Sequence, residues 1–387
     1  MFMLILSGFN KKWVRWWETM ERISISQLFM LTLVFQIGTS VIFGFSSAAG
    51  SDAWLSTLIC TVIGTCLIIM YLMLMRLQPG LTLVEWFPAQ FGQWIGVPLA
   101  WFYMLHFLYN AGRTLGDIKD LIPTTILPGT PNWVILAVFM IAISYALYSG
   151  IEVLARLAEL ILPVILVLFL IEIVLIFASD IIDIKHLQPV LGEGWGRIWK
   201  AVWPNGIQQS FSETLEFAMI WTLVIDSKRI IKPTLLASVL YGFLLAAFDG
   251  LAVLTFGEGT FSTSTYPLYR LVKVISVADF LENLDALGIL YFVGTAFFKV
   301  SLQLYGVIRG VQLLLYLRDS RVLVMPISMI VFILGLTISR STSEHWYSIK
   351  NLGYMGLIWW IIIPFLLLIV ACIRRKFSNK SIVRSGL

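Results

Sequence analysis

The stretch Gln27–Gly50, QLFMLTLVFQIGTSVIFGFSSAAG, decides the fold. It is apolar and long enough to cross a bilayer, for which about 20 residues suffice. Its centre, Ile37-Gly38-Thr39-Ser40-Val41-Ile42-Phe43-Gly44, makes a poor helix. Two glycines, a Thr and a Ser stand where an ordinary span would carry Leu and Ile. Irregular backbone at membrane depth is tolerated only where it is buried in protein or lines a cavity. A broken span matched by another in the second half of a chain is the sequence pointer to a transporter-type ligand site. The match falls at Ser210-Phe211-Ser212-Glu213.

The bulk composition agrees with a membrane solvent. Of the 387 residues, 59% are hydrophobic and 13% charged, with a mean hydropathy of +0.89. Soluble domains carry about 25% charged residues. Fifteen Trp and thirteen Tyr suit many interface anchors. The net charge of +5 reflects Lys and Arg kept on the cytoplasmic side and does not imply a nucleic-acid partner. Cys60, Cys66 and Cys372 read as buried packing residues, because helical cysteines six apart share no face for a disulfide. The first residues, Met1–Gly8, are apolar and precede Lys11, Lys12 and Arg15, the reverse of a secretory signal. Trp13, Trp16 and Trp17 among those cations suggest an interfacial helix; Met20 is an alternative start.

Hydropathy predicts ten spans, near 27–49, 54–75, 95–116, 132–149, 158–178, 200–224, 234–256, 284–316, 322–338 and 353–373. Residues 151–160 form an amphipathic lead-in to the fifth, which Pro163 kinks. With the N-terminus cytoplasmic, seventeen Lys and Arg lie inside and nine outside, Arg113 and Lys119 among the outer set. Both termini are then cytoplasmic, as an even number of spans requires. The expected organisation is an interfacial or cytoplasmic extension 1–22, a permease domain 23–375 and a basic cytoplasmic tail 376–387. The external segment Ser179–Trp199 holds Gly192-Glu193-Gly194-Trp195-Gly196, read as a surface loop rather than a phosphate loop. Within Gly257–Glu282, Tyr266–Val274 is expected as a short surface helix over the external mouth.

Spans one to five and six to ten make two sets, about 23–178 and 200–373, each opening with a broken span. Because five is odd, the second set has the opposite topology. The fold expected is therefore all-α and integral to the membrane, a five-plus-five inverted repeat of the secondary-transporter type with helices 1 and 6 broken.

No metal cluster, catalytic triad or nucleotide loop is visible, so no enzyme activity, cofactor or metal is expected. His106, His186 and His345 are scattered, and His106 in span three reads as a packing residue. Charges inside spans are more informative. A Lys at a helix centre costs about 2.5–3.5 kcal/mol on insertion scales. Lys299, near the middle of span eight, should face the bundle and find a partner among Glu213, Glu216, Glu172 and Asp249. It is either a structural ion pair or a fixed charge in the place of a coupling cation between spans one and eight. In span six, Ser210, Phe211, Ser212 and Glu213 could meet a ligand, with free N–H groups for a carboxylate and Glu213 for an ammonium. An interior polar seam holding only water is the plain alternative. Tyr103, Phe107 and Asn110 share one face of span three, as a pocket wall or as packing. Gly38, Thr39, Ser40 and Thr295 complete the candidate lining. Gly112–Gly116 and Gly306–Gly310 fit close helix contacts.

Several stretches carry a family resemblance. They are Ile23-Ser24-Ile25-Ser26-Gln27, the Gly38-Thr39-Ser40 break, Gly150-Ile151-Glu152-Val153-Leu154-Ala155-Arg156-Leu157-Ala158-Glu159, and Glu213. Phe280-Leu281-Glu282-Asn283-Leu284-Asp285 and Phe298-Lys299-Val300-Ser301 complete the set, in an order spanning Ile23 to Arg375. The chain resembles the spore germination permeases, the B subunits of endospore nutrient-germinant receptors. These belong to the amino acid–polyamine–organocation transporters. Asn283 departs from the pattern, which has a basic residue there. The resemblance implies a ten-helix inverted repeat in the spore inner membrane, assembled with A-type and C-type subunits. It also implies a small nutrient ligand, an amino acid, sugar or nucleoside, whose binding starts germination; an amino acid is the first expectation. The alternatives are a working secondary amino-acid transporter, with proton coupling through Glu213 or Lys299, and a structural subunit that binds nothing.

Overall fold

A computed structural model describes residues 22–44, 46–208, 210–275, 285–339, 344 and 353–385, with backbone alone for Asp285 and 377–385. The N-terminal segment 1–21, Phe280–Leu284 and His345 lie outside the described residues. Among those described, regular structure is helical, and extended pairing amounts to one isolated parallel bridge between Ile23 and Val224.

Helix α1 spans Ile25–Ile37. Ser24 starts it with a reciprocal cap: its Oγ accepts from Gln27 N at 3.1 Å, and Gln27 Oε1 accepts from Ser24 N at 2.9 Å. Gly38 ends it, with φ 40°, a conformation open to glycine at little cost. The chain then turns through Thr39–Ile42 and re-enters a short 3₁₀ helix at Ser47–Asp52. Next come α2 (Ala53–Leu77), α3 (Leu83–Thr125, bent at Gly92), α4 (Asn132–Ser149) and α5 (Ile151–Ala178). The expected lead-in from residue 151 and the fifth span are one helix that includes Pro163.

The sixth segment is interrupted as the sequence suggested. Helix α6 (Trp195–Ala201) passes into a π turn at Val202–Gly206. The chain breaks near Ser210, whose φ is 44°, and resumes as 3₁₀ turns at Ser212–Met219 and Trp221–Leu223. The remainder is α7 (Ile231–Thr263, bent at Gly257), α8 (Pro267–Lys273), α9 (Asp285–Leu315), α10 (Val324–Thr337) and α11 (Ile363–Ser385). The short helix expected near Tyr266 is α8, but it buries Leu268, Tyr269, Leu271 and Val272 rather than lying on the surface.

Seven segments are long and apolar enough to cross a membrane: Ser47–Leu77, Asn132–Ser149, Ile151–Ala178, Ile231–Thr263, Ala286–Leu315, Ser320–Thr337 and Gly353–Lys376. Of the ten expected spans, the first and sixth are interrupted and the third is the long, polar-rich α3. On α5, Leu160, Val164, Val167, Ile171 and Val174 recur at helical spacing and are exposed. Such a stripe suits lipid, where water would favour polar groups. The inner helix is α1, which packs against α5, α7 and α9, while α2 lies along α7 and α3 along α9 and α10. Cys60 is buried, but Cys66 and Cys372 are exposed, which corrects the expectation that all three are interior; they sit on outward faces of apolar helices.

Candidate functional site

Five buried or half-buried polar residues, Asn110, Arg113, Glu213, Glu216 and Lys299, gather where the two breaks meet α9 and α3. Lys299 Nζ lies 2.7 Å from Glu213 Oε2, and both side chains are buried. Arg113 Nη2 approaches the other carboxylate oxygen, Oε1, at 2.9 Å. Asn110 Nδ2 donates to Glu213 Oε1 and to Glu216 Oε1, each at 3.1 Å, and its own Oδ1 accepts from Arg113 Nε at 3.2 Å. Two carboxylates thus share one knot with two cations. Pairing and added hydrogen bonds are what make buried charge tolerable.

Lys299 reaches this knot by crossing the first break. A Cβ on Gly38 would overlap the Lys299 side chain, so the close approach requires glycine. The ammonium also sits 5.7 Å from the Phe35 ring centroid. Thr295, one turn earlier on α9, donates to Gly38 O at 2.6 Å. That bond satisfies a carbonyl left over where α1 ends. Ser40 Oγ donates back to Ile37 O at 2.6 Å, and Thr39 is buried in the same turn.

The second break is held from within. Ser212 Oγ donates to Gln208 O, and Thr214 Oγ1 to Ser210 O at 3.2 Å. Phe211 packs on Gly64 of α2, where a Cβ would overlap its ring, and lies 5.2 Å from the Tyr241 ring. Gln36 joins the two breaks: its Nε2 donates to Thr214 Oγ1 at 2.8 Å and to Ser238 Oγ at 2.9 Å.

Of the candidate lining, Gly38, Asn110, Glu213, Glu216, Thr295 and Lys299 come together. Tyr103 and Phe107 share a face with Asn110 but pack elsewhere. Tyr103 OH donates to Trp359 O at 2.7 Å, and Phe107 stacks on Trp360 at 5.8 Å. His106 lies 5.4 Å from the Trp359 ring centroid in the same aromatic cluster. Glu172 and Asp249 are not partners of Lys299. Glu172 accepts from Tyr291 OH at 3.1 Å, and Asp249 accepts from Thr57 Oγ1 at 2.6 Å.

Two site residues were not foreseen. Arg113, counted with the outer-side charges at the end of span three, was not named for the site, yet α3 continues as helix to Thr125 and carries Arg113 into the knot. Lys119, also counted with the outer-side charges, is buried and donates to Ser339 O at 2.7 Å. Gln36 was the other omission; an amide inside VFQIGTS was the available signal.

Each broken segment is tied at its ends. Ile23 N donates to Leu223 O at 3.2 Å and Ile225 N to Ile23 O at 3.0 Å. Arg22 N donates to Glu152 Oε1 at 2.9 Å, and Gln27 Nε2 to Glu159 Oε2 at 3.2 Å, so the Gly150–Glu159 stretch anchors the start of α1. At the other end Arg197 donates to Ala48 O at 3.1 Å and pairs with Glu258 at 2.5 Å.

Sequence comparison agrees with this architecture. The profile of the family described as spore germination protein matches residues 22–343. The chain belongs to this family. Among related spore germination proteins, protein KB of Bacillus subtilis (strain 168) is 32% identical over 93% of this chain and 97% of its own length. Protein XB of Bacillus anthracis is 22% identical over 77% of this chain and 82% of its own. Among solved structures, Mhp1, a nucleobase-cation-symport-1 family transporter in a closed conformation with bromovinylhydantoin bound, superposes with a TM-score of 0.65. That match covers 87% of this chain and 76% of Mhp1 at 11% identity, so what it shows is a shared transporter fold. This spore germination protein is therefore a multi-pass membrane protein of permease type.

Proposed function

We propose that this chain is the nutrient-sensing membrane subunit of a spore germinant receptor. A small nutrient, an amino acid first, binds where the breaks at Gly38 and Ser210 face each other, and its binding shifts the complex toward germination. The observation that carries this reading is the knot of Lys299, Glu213, Arg113, Asn110 and Glu216 beside both breaks. A purely structural bundle has no need of two interrupted helices around buried charge. Lys299 supplies a fixed positive charge between spans one and eight, so the site is braced without a bound coupling ion there. Phe211, Ser212, Thr39, Ser40 and Thr295 line the ligand's surroundings. Tyr103 and Phe107, engaged with Trp359 and Trp360, are not part of that lining.

In this reading the permease domain covers residues 23–375, as five-plus-five inverted repeats of about 23–178 and 200–373. Both termini are cytoplasmic in the spore inner membrane, and A-type and C-type subunits are the partners. The ties at Ile23 and at Arg197 would have to part in turn for a ligand to enter and for the signal to leave.

The test is a panel of amino acids, sugars and nucleosides applied to spores in which this receptor is the sole one. The reading expects germination with a restricted set of nutrients, abolished on deletion of this chain. Spores that respond equally without it would overturn the proposal. Uptake of labelled amino acid by proteoliposomes of the chain alone would instead mark a working transporter.

A further inference from the structure

Asp249 stands apart from the knot and is not needed by it. It lies on α7, is 0% exposed, and faces the stretch that follows the first break. Thr57 of α2 donates to its Oδ2 at 2.6 Å, and the Thr57 hydroxyl lies 2.7 Å from that of Ser46. Its other oxygen, Oδ1, is buried with no hydrogen-bond partner among the described residues. No Lys or Arg among the described residues pairs with it: Lys299 is spent on Glu213, and Arg197 on Glu193 and Glu258. A carboxylate in an apolar interior with one oxygen unpartnered and no counter-charge is expensive, and such groups in membrane proteins mark ion or proton sites.

We propose that Asp249 Oδ1, with the hydroxyls of Ser46 and Thr57, seats a monovalent alkali cation. The donors are hard oxygens, which suit such ions and not soft metals. One carboxylate balances one charge. The site joins three elements, α7, α2 and the segment after the break. A bound cation would therefore fix residues 46–52 against the bundle. The proposal does not depend on the nutrient reading, since it concerns a separate cluster.

The test uses the purified full chain in detergent micelles. Its melting midpoint is compared in sodium, potassium and choline chloride at equal ionic strength. One alkali salt should raise the midpoint over choline by about 3 °C or more at saturating concentration. Asp249→Asn should abolish that rise, and Thr57→Val should move the half-effective salt concentration up by about tenfold. Thr337→Ala, whose hydroxyl bonds only within its own helix, should respond as the wild type does. Should Asp249→Asn fail to fold, Thr57→Val and Ser46→Ala decide, and an unchanged salt response in both overturns the site. So does a wild-type midpoint indifferent to the cation. A midpoint that follows pH alone would make Asp249 a proton site and equally overturn it.

Discussion

The break after α1 offers backbone, and the break at Ser210 brings charge. At the first, Gly38 bares a carbonyl that Thr295 caps at 2.6 Å, and the lack of a side chain lets Lys299 cross. At the second, the turn residue is Ser210, held at φ 44°, and the next turns deliver Glu213 and Glu216 to the interior. Lys299 is the element common to both. The difference teaches that the two interruptions are complementary halves of one site rather than two copies of one device. Sub-ångström changes at either should reach the other through Lys299 and Gln36.

The largest break in this comparison is Lys299→Ala. Removing one partner of a buried ion pair costs about 3–5 kcal/mol, because the other charge is left behind. Immunoblots of spore membranes should show the chain and its assembly strongly reduced, and germination should fall with them. Wild-type behaviour would remove Lys299 from the centre of the account. The double change Lys299→Met with Glu213→Gln should recover only part of the abundance and none of the response, since both charges leave together but Arg113 loses its carboxylate.

The next contrast sets the two turns side by side. Gly38→Ala places a side chain at positive φ and against Lys299, for a loss of about 1–3 kcal/mol. Ser210→Gly relieves a left-handed backbone and should be neutral or stabilising by up to about 1 kcal/mol. Melting midpoints of the purified proteins check both, and equal losses would mean the breaks are alike. A smaller effect is expected at Gln36→Leu, which removes the amide bridging Thr214 and Ser238. Each lost bond is worth about 1 kcal/mol, so the midpoint should fall by a few degrees while the protein remains abundant.

Much of this architecture was legible before coordinates. Gly38-Thr39-Ser40 announced the first break, because small and hydroxyl residues weaken a helix where lipid permits no exposed backbone. Lys299 announced a partner for the same dielectric reason. The partner itself was not legible: four buried carboxylates were candidates, and the choice of Glu213 depends on helix rotation, which hydropathy does not encode. Arg113 was missed because it falls at the end of the hydropathy span, where Asp117, Lys119 and Asp120 lower the local hydropathy. The helix survives there because those groups find partners within the protein, as Arg113 does on Glu213 and Lys119 on Ser339. Gln36 was hidden in the opposite way, as one amide within an apolar run.

The most direct measurement is a germinant dose–response in spores carrying this receptor alone, with Thr39→Ser, Phe211→Leu and Thr295→Ser compared with the wild type at matched receptor abundance. The account predicts that the half-maximal concentration shifts by about tenfold or more for some nutrients and not for others, equivalent to about 1.4 kcal/mol at the site. Identical dose–responses, or losses that merely track the amount of protein, would contradict a nutrient site between the two breaks.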